Sequence, residues 1–283
     1  MLNGCAYILT VDVGNTFIRF GLFAEDSAAA QECPLATCEI TTPSSITADE
    51  ARMRLAQVIG ALSADAGMPG ALVPAAAVLS CVVPALERPW KAALSRTCTG
   101  RVLTVGPGLK TGMPVHYDDP AEIGPDRIAD AVAARAVYGS PCIVIDLGTT
   151  TNIEVIDARG TFVGGVIAPG LALGARSLSA AAARLPQVEP SAPTHVIGRN
   201  TREAMRSGVV LGEVARIDGM LDMVLAEMRA TKAAGEGSVP IVITGDDAEA
   251  LAALVGHSLT VDDALTLRGL AELYHINQKP RRA

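Results

Sequence analysis

Aromatic side chains make up only 3% of the 283 residues, while hydrophobic residues reach 49%. A core with few rings must be filled by Ala, Val, Leu and Ile, which suits an α/β protein whose helices meet its sheets through small side chains. Basic charge is also scarce: 23 Lys and Arg stand against 30 Asp and Glu, for a net charge of −7. That balance argues against nucleic acid as a general partner, since neutralising phosphates needs a basic face. An anionic ligand must therefore be met by a local site. The longest apolar-looking stretch, residues 71–86, is broken by Pro74 and Pro84 and falls short of the ~20 residues a membrane helix needs. No basic segment precedes the first apolar run, which stops at Asp12, so it does not read as a secretory signal. The six cysteines (Cys5, Cys33, Cys38, Cys81, Cys98 and Cys142) include no CxxC pair. They form no zinc-type pattern with the four histidines either. Reduced thiols in a cytoplasmic protein are the expectation.

What the chain does have is one turn written twice. Residues 7–24 read YILTVDVGNTFIRFGLFA and residues 142–158 read CIVIDLGTTTNIEVIDA. Each is an apolar strand ending in Asp-x-Gly-(Asn/Thr)-Thr and followed by a second strand. An acid at a strand end, a glycine that permits a tight turn and a hydroxyl beyond it make a pocket of backbone N–H groups beside a carboxylate suited to a metal. One copy alone is usually only a strand and a turn. Two copies with matching flanks, centred on Asp12 and Asp146, point to two related halves that clamp a nucleotide triphosphate.

The length fits two domains of roughly 150 residues each. Strands are expected over 7–13, 17–24 and 36–41, a helix over 46–64, a strand over 76–83, a helix over 86–98 and a strand over 101–105. This β-β-β-α-β-α-β order is the plan of a ribonuclease-H-like domain. The Gly-, Pro- and Asp-dense segment 106–120 is the candidate crossing, giving domains at 1–118 and 119–283. In the second half, a helix over 126–138 precedes strands over 142–146, 152–157 and 162–167. A long helical region over 201–230 follows, then a strand over 239–244 and helices over 247–255 and 266–275. Within the long region Val210, Val214, Ile217, Leu221, Val224 and Met228 form an apolar stripe at spacings of four and three, either core or subunit interface.

The most informative single string is YDDPAEIGPDRIADAVAA, residues 117–134. Asp126 and Arg127 follow a Gly-Pro turn at the mouth of a helix. Asp126 is either a helix cap or a general base, beside an Arg that grips a carboxylate, as a kinase of a small acidic alcohol requires. Asn200 and Glu203 read as a capping pair that would make Thr201 a first-turn residue. Gly164, Gly165 and Gly170 either shape strand ends or let backbones approach.

Six motifs, DVGNTFIRFGLF, LSCVVP, YDDPAEIGPDRIADAVAA, IVIDLGTTTNIEVID, FVGGVIAPG and IGRNTREAMRSG, occur in the order and spacing of type III pantothenate kinases, the Bvg accessory factor family. The resemblance runs from Ile8 to about Asn277. It implies an actin-like fold of two ribonuclease-H-like domains with mixed sheets flanked by helices, in a homodimer that phosphorylates pantothenate with ATP. It further implies that Asp12, Val13, Gly14, Asn15, Thr16 and Arg19 form the first phosphate loop, with Asp12 near magnesium, and that Gly148 and Thr149 contact nucleotide. Asp146 falls on the position that helps hold a monovalent cation, potassium or ammonium. Asp126 falls on the general base. Tyr117, Gly124, Pro125, Asp126, Arg127 and Thr201 fall on pantothenate contacts.

The chain departs from the family pattern at Thr150, Asn152 and Glu154, at Asp119 and Pro125, and at Asp246, where a third glycine position carries a carboxylate. Two rival functions stand beside this reading: a kinase of another small hydroxy acid, which Tyr117, Arg127 and Thr201 argue against, and a non-catalytic binding or regulatory protein that kept the cleft, which Glu154 and Asp246 keep open.

Overall fold

The computed structural model describes residues 6–26, 32–68, 70 and 72–278. Cys5 and the residues beyond 278 lie outside that set. The chain forms two compact units, Met1–Val137 with Ala264–Ala283, and Tyr138–Asp263. The expected division at 118/119 is not where the contacts divide. Helix α3 (Pro125–Tyr138) and the last helix, α8 (Leu265–Ile276), both belong to the first unit, because Gly269 on α8 sits so close to Ala129 O on α3 that a Cβ would collide with it. Arg135 of α3 also donates to Gly112 O at 2.5 Å, which keeps the Gly/Pro-dense segment within the first unit.

In the first unit, β1 (Tyr7–Val13), β2 (Phe17–Ala24), β3 (Ala36–Thr41), β4 (Ala76–Cys81) and β5 (Val102–Thr104) form one sheet in the order β3-β2-β1-β4-β5. The β1-β2 and β2-β3 pairs are antiparallel; β1-β4 and β4-β5 are parallel. Tyr7, Leu9, Val11 and Val13 alternate onto the face covered by α1 (Ala48–Asp65) and α2 (Pro84–Thr97), in a core around Leu55, Leu62 and Trp90. Trp90 is fully buried against Phe20, ring centroids 5.6 Å apart, so one of the few rings anchors this core. Alternation of a strand sends Asp12 to the opposite face. Helix α1 starts with a complete capping box between Thr47 and Glu50, which satisfies two backbone donors at once.

The second unit repeats the plan. Its strands β6 (Cys142–Leu147), β7 (Thr150–Ile156), β8 (Phe162–Pro169), β9 (Ile241–Gly245) and β10 (Thr260–Val261) are ordered β10-β9-β6-β7-β8. The β6-β7 and β7-β8 pairs are antiparallel, and β6-β9 and β9-β10 parallel. Read from the other edge, this is the order and direction of the first sheet. Val210, Val214, Ile217, Leu221 and Met228, with Val224 partly buried, pack on Ile143, Ile145 and Leu147. The apolar stripe is therefore core, and is not available as a subunit interface. Gly208, Gly212 and Gly219 have nothing within 4 Å of a notional Cβ, so they do not serve a close approach inside the unit.

The long helical region is interrupted. It comprises α5 (Thr201–Arg206), a π-helical turn (Ser207–Leu211) and α6 (Gly212–Ala230). The helices α4 (Leu171–Ala181) and the short 3₁₀ turn Pro120–Glu122 were not expected, and α7 (Ala248–Ala252) is shorter than expected. No helix among the described residues is long and apolar enough to cross a membrane. The described cysteines are free thiols.

Candidate active site

Strand β1 delivers Asp12 to the face shared with α3 and α8, where it is 7% exposed. Its neighbours in register are Ser80 on β4 and Arg19 on β2. Burial pushes its carboxyl up to about 6, the charge of Asp126 pushes the same way, and the Ser80 hydroxyl and Arg19 oppose them. Oδ1 of Asp12 accepts no hydrogen bond from the described residues. A buried carboxylate with an open oxygen fits a hard divalent cation that keeps water and phosphate as its other ligands. Among the described residues no group of three or more His, Cys, Asp or Glu forms a ready-made metal cage.

The turn after β1 is closed by Gly14 N donating to Phe17 O at 3.0 Å. Thr42, just past β3, braces it from the side: its hydroxyl donates to Gly14 O at 2.8 Å and its N–H to Thr16 O at 2.9 Å. Val13 is buried in the core, whereas Asn15 and Thr16 are exposed at the tip. Arg19 pairs with Glu39 at 3.0 Å and lies 5.9 Å from the Phe17 ring.

Helix α3 begins at Pro125, so Asp126 is its second residue and not its N-cap. Its Oδ1 accepts from Arg127 N at 2.8 Å. Burial raises the Asp126 carboxyl, opposed by that hydrogen bond and by the Arg127 charge. Arg127 is 5% exposed. A Cβ at Gly124 would press on the Asp126 carboxylate and push it out of its position. A cavity of about 390 Å³ opens beside this helix start, lined by Cys81, Val105, Met113, Ile123, Pro125 and Ile128 among others. Of the expected substrate contacts, Pro125 lines it; Tyr117 lies half-buried on the segment leading to the 3₁₀ turn. Asp12, Asp126 and Arg127 thus come together within one unit.

In the second unit Asp146 is the next-to-last residue of β6, on the face opposite Ile145 and Leu147. The turn that follows is held by backbone on both sides. Gly148 N donates to Thr150 O at 2.9 Å, Gly170 N to Thr149 O at 3.0 Å, and Asp246 N to Leu147 O at 2.6 Å. A Cβ on Gly170 would strike Gly148 O and Thr149 O, which decides its role in favour of close approach. Gly245, at φ +91°, is equally tight: its Cβ would strike Leu147 O and come within 2.8 Å of Asp146 Oδ1. That cradle sets one carboxylate among close-packed backbone carbonyls, an all-oxygen donor set of the kind hard cations take.

Asn152 and Glu154 lie buried in β7, beyond the turn, with Glu154 in register with Val144 and Gly165. The capping pair expected at α5 is present: Asn200 Oδ1 accepts from Glu203 N at 3.0 Å and Glu203 Oε2 from Arg199 N at 3.1 Å. Thr201 is therefore the exposed first residue of α5. Sequence inspection missed Glu213, 5% exposed on α6, whose Oε1 accepts from the Thr151 hydroxyl at 2.6 Å. An acid inside an otherwise apolar helical stripe was the available signal.

A family described as type III pantothenate kinase matches residues 8–223. A type III pantothenate kinase of Koribacter versatilis is 37% identical over 279 residues, with 97% of both chains covered. A second, from Symbiobacterium thermophilum, is 39% identical over 274 residues, covering 96% of this chain and 97% of that protein. Among solved structures, a Baf family transcriptional activator from Campylobacter jejuni aligns with TM-score 0.56 at 18% identity, over 95% of this chain and 98% of the other. The ROK hexokinase of Thermus thermophilus aligns with TM-score 0.50 at 13% identity, over 96% and 100%. At such identities the two structures speak for the fold alone, an α/β plan of two mixed five-stranded sheets flanked by helices.

Proposed function

The chain belongs to the type III pantothenate kinase family, phosphotransferases that use ATP to phosphorylate pantothenate, and we propose that Asp126 is the base that takes the proton of the accepting hydroxyl. The observation that carries this is the pair of carboxylates on β1 and α3, near enough that the charge of Asp126 raises Asp12. Phosphoryl transfer asks little covalent help of a protein beyond positioning, charge neutralisation and a base. The hydroxyl oxygen bonds to the γ-phosphorus, the bond from phosphorus to ADP breaks, and the proton passes to an Asp126 carboxyl already raised by burial. Magnesium, held by Asp12, would neutralise charge on the phosphate oxygens.

In the same reading Arg127 meets the pantothenate carboxylate in a fork that Lys would not reproduce. The apolar cavity beside Pro125 suits the methyl-bearing carbon next to the reacting hydroxyl. The turns at Gly14–Thr16 and Gly148–Thr149 supply backbone N–H groups to the phosphates. Asp146 helps to hold potassium or ammonium. A homodimer belongs to the same reading, and Val196 and Ile197, neighbours in sequence and 73% and 84% exposed, are candidates for its surface. Free thiols and use of cellular ATP suit the cytoplasm.

ADP release measured with pantothenate, with other small hydroxy acids and with no acceptor tests the assignment. Release that depends on pantothenate and magnesium is expected. Equal release with another hydroxy acid would redirect the substrate, and none under any acceptor would favour the non-catalytic rival.

A further inference from the structure

Three separate elements close on the second phosphate turn, and the least expected is the start of α6. Glu213 is 5% exposed and Thr151 4%, and the Thr151 hydroxyl donates to Glu213 Oε1 at 2.6 Å. The other carboxylate oxygen, Oε2, takes a short ion pair from Arg216, one helical turn on. The same Arg216 nitrogen donates to Pro169 O at 2.5 Å. Thr151 is the residue that follows the turn on β7, and Pro169 ends β8 beside it, in register with Thr150. One residue after Pro169, Gly170 N donates to Thr149 O. A single carboxylate and its guanidinium therefore hold β7 just past the turn and the end of β8 that pairs with it.

We propose that Glu213 and Arg216 are positioning residues for nucleotide binding, a buried clasp that sets the distance between Thr151 and the Pro169–Gly170 corner and so fixes how Thr149 is presented. The inference builds on the reading of the Gly148–Thr149 turn as a phosphate contact. A buried carboxylate is costly unless every lone pair is used. Here the hydroxyl and the guanidinium use both oxygens, so loss of one partner disturbs the other. The clasp touches no substrate. Its effect passes through the turn, and so falls on ATP and not on pantothenate.

The test is steady-state kinetics with both substrates varied, alongside thermal melting. Thr151→Val keeps the shape of the side chain and removes the hydroxyl. Its KM for ATP should rise about tenfold, the scale of losing one hydrogen bond to a buried charge, with KM for pantothenate unchanged. Thr151→Ser, which keeps the hydroxyl, should restore most of the affinity. Glu213→Gln retains an acceptor for Thr151 but no charge for Arg216, and should fall between. Combined with Thr151→Val, it should add less than its separate effect, because both act through one contact. Equal shifts in the two KM values, no shift in either, or fully additive losses would overturn the clasp. Thr149→Ala separates the premise from the inference. If it leaves KM for ATP untouched while Thr151→Val raises it, the phosphate contact lies elsewhere on the turn and the clasp stands.

Discussion

The two Asp-x-Gly turns arise from nearly the same residues on strands of the same topology, yet they are held differently. The first, after Asp12, is braced by one threonine reaching in from beyond β3, and its acid faces a second carboxylate, Asp126. The second, after Asp146, is gripped by backbone at Gly170 and Gly245 and by the Glu213 clasp. Asp-x-Gly-x-Thr at a strand end produces a turn with a carboxylate beside it in either place. What that carboxylate does depends on the elements the rest of the chain brings up to it. In the first unit α3 brings a second buried carboxyl; in the second, glycines and a helix start bring close packing.

The largest effect should come from removing what only α3 brings to the first turn. Asp126→Asn retains an acceptor for Arg127 N, so thermal melting should barely move, while loss of a general base costs roughly 10²- to 10⁴-fold in turnover. A variant with full turnover would leave Asp126 as a helix-terminus residue and erase the functional contrast between the turns.

Next in size is the pH response of Asp12, whose carboxyl lies at about 6 against an ordinary value of 3.8. A raised carboxyl favours the folded state while protonated. That contribution is complete below pH 3.8 and is lost as pH climbs through about 6. Without magnesium, stability measured by denaturant should therefore fall relative to Asp12→Asn by roughly 3 kcal/mol across that window. Magnesium should restore it above pH 6 and not below pH 4, since the metal needs the ionised group. Parallel pH profiles for the two proteins would mean that Asp12 is not strained by its surroundings.

The turn glycines give the third contrast. A Cβ at Gly14 would sit 3.0 Å from Phe17 O, a tight contact that small shifts relieve, whereas at Gly170 and Gly245 it would strike fixed carbonyls. Gly170→Ala and Gly245→Ala should each cost roughly 1–3 kcal/mol, with Gly245→Ala the worse for its positive φ. Gly14→Ala should cost less than either. Melting temperatures in the reverse order would show that the second turn is the looser one.

Much of this was legible in the sequence because strand ends, turns and helix periodicity are local. The five strands of the first unit, the helix after Gly124-Pro125 and the apolar stripe of α6 follow from alternation and spacing alone. The unit boundary was not legible. Gly269 against Ala129 is a contact between residues 140 apart in sequence, and nothing in the Gly/Pro-dense segment announces that α8 returns to the first sheet. Helix α4 was missed because its residues, LALGARSLSAA, bury only Ala175 and so carry no strong pattern. The clasp was missed for a related reason. Glu213 stands out only as an acid within an apolar stripe, nothing in the sequence names Thr151 as its partner, and only the fold brings the two to 2.6 Å.

The smallest expected effect concerns Asp246, which follows Gly245 and whose N–H already anchors Leu147 O. A carboxylate next to a phosphate site repels the ligand, and removing a partly exposed charge is worth at most about 1 kcal/mol, so Asp246→Asn should tighten ATP binding by no more than about fivefold. Asp246→Gly removes bulk as well as charge and should tighten it further, while pantothenate binding stays the same in both. Titration of ATP into the three proteins sorts the causes. Equal gains from Asn and Gly would assign the effect to charge, and a gain from Gly alone to bulk. Unchanged affinity in both would mean that Asp246 is directed away from the nucleotide, leaving the second turn without the penalty its sequence suggests.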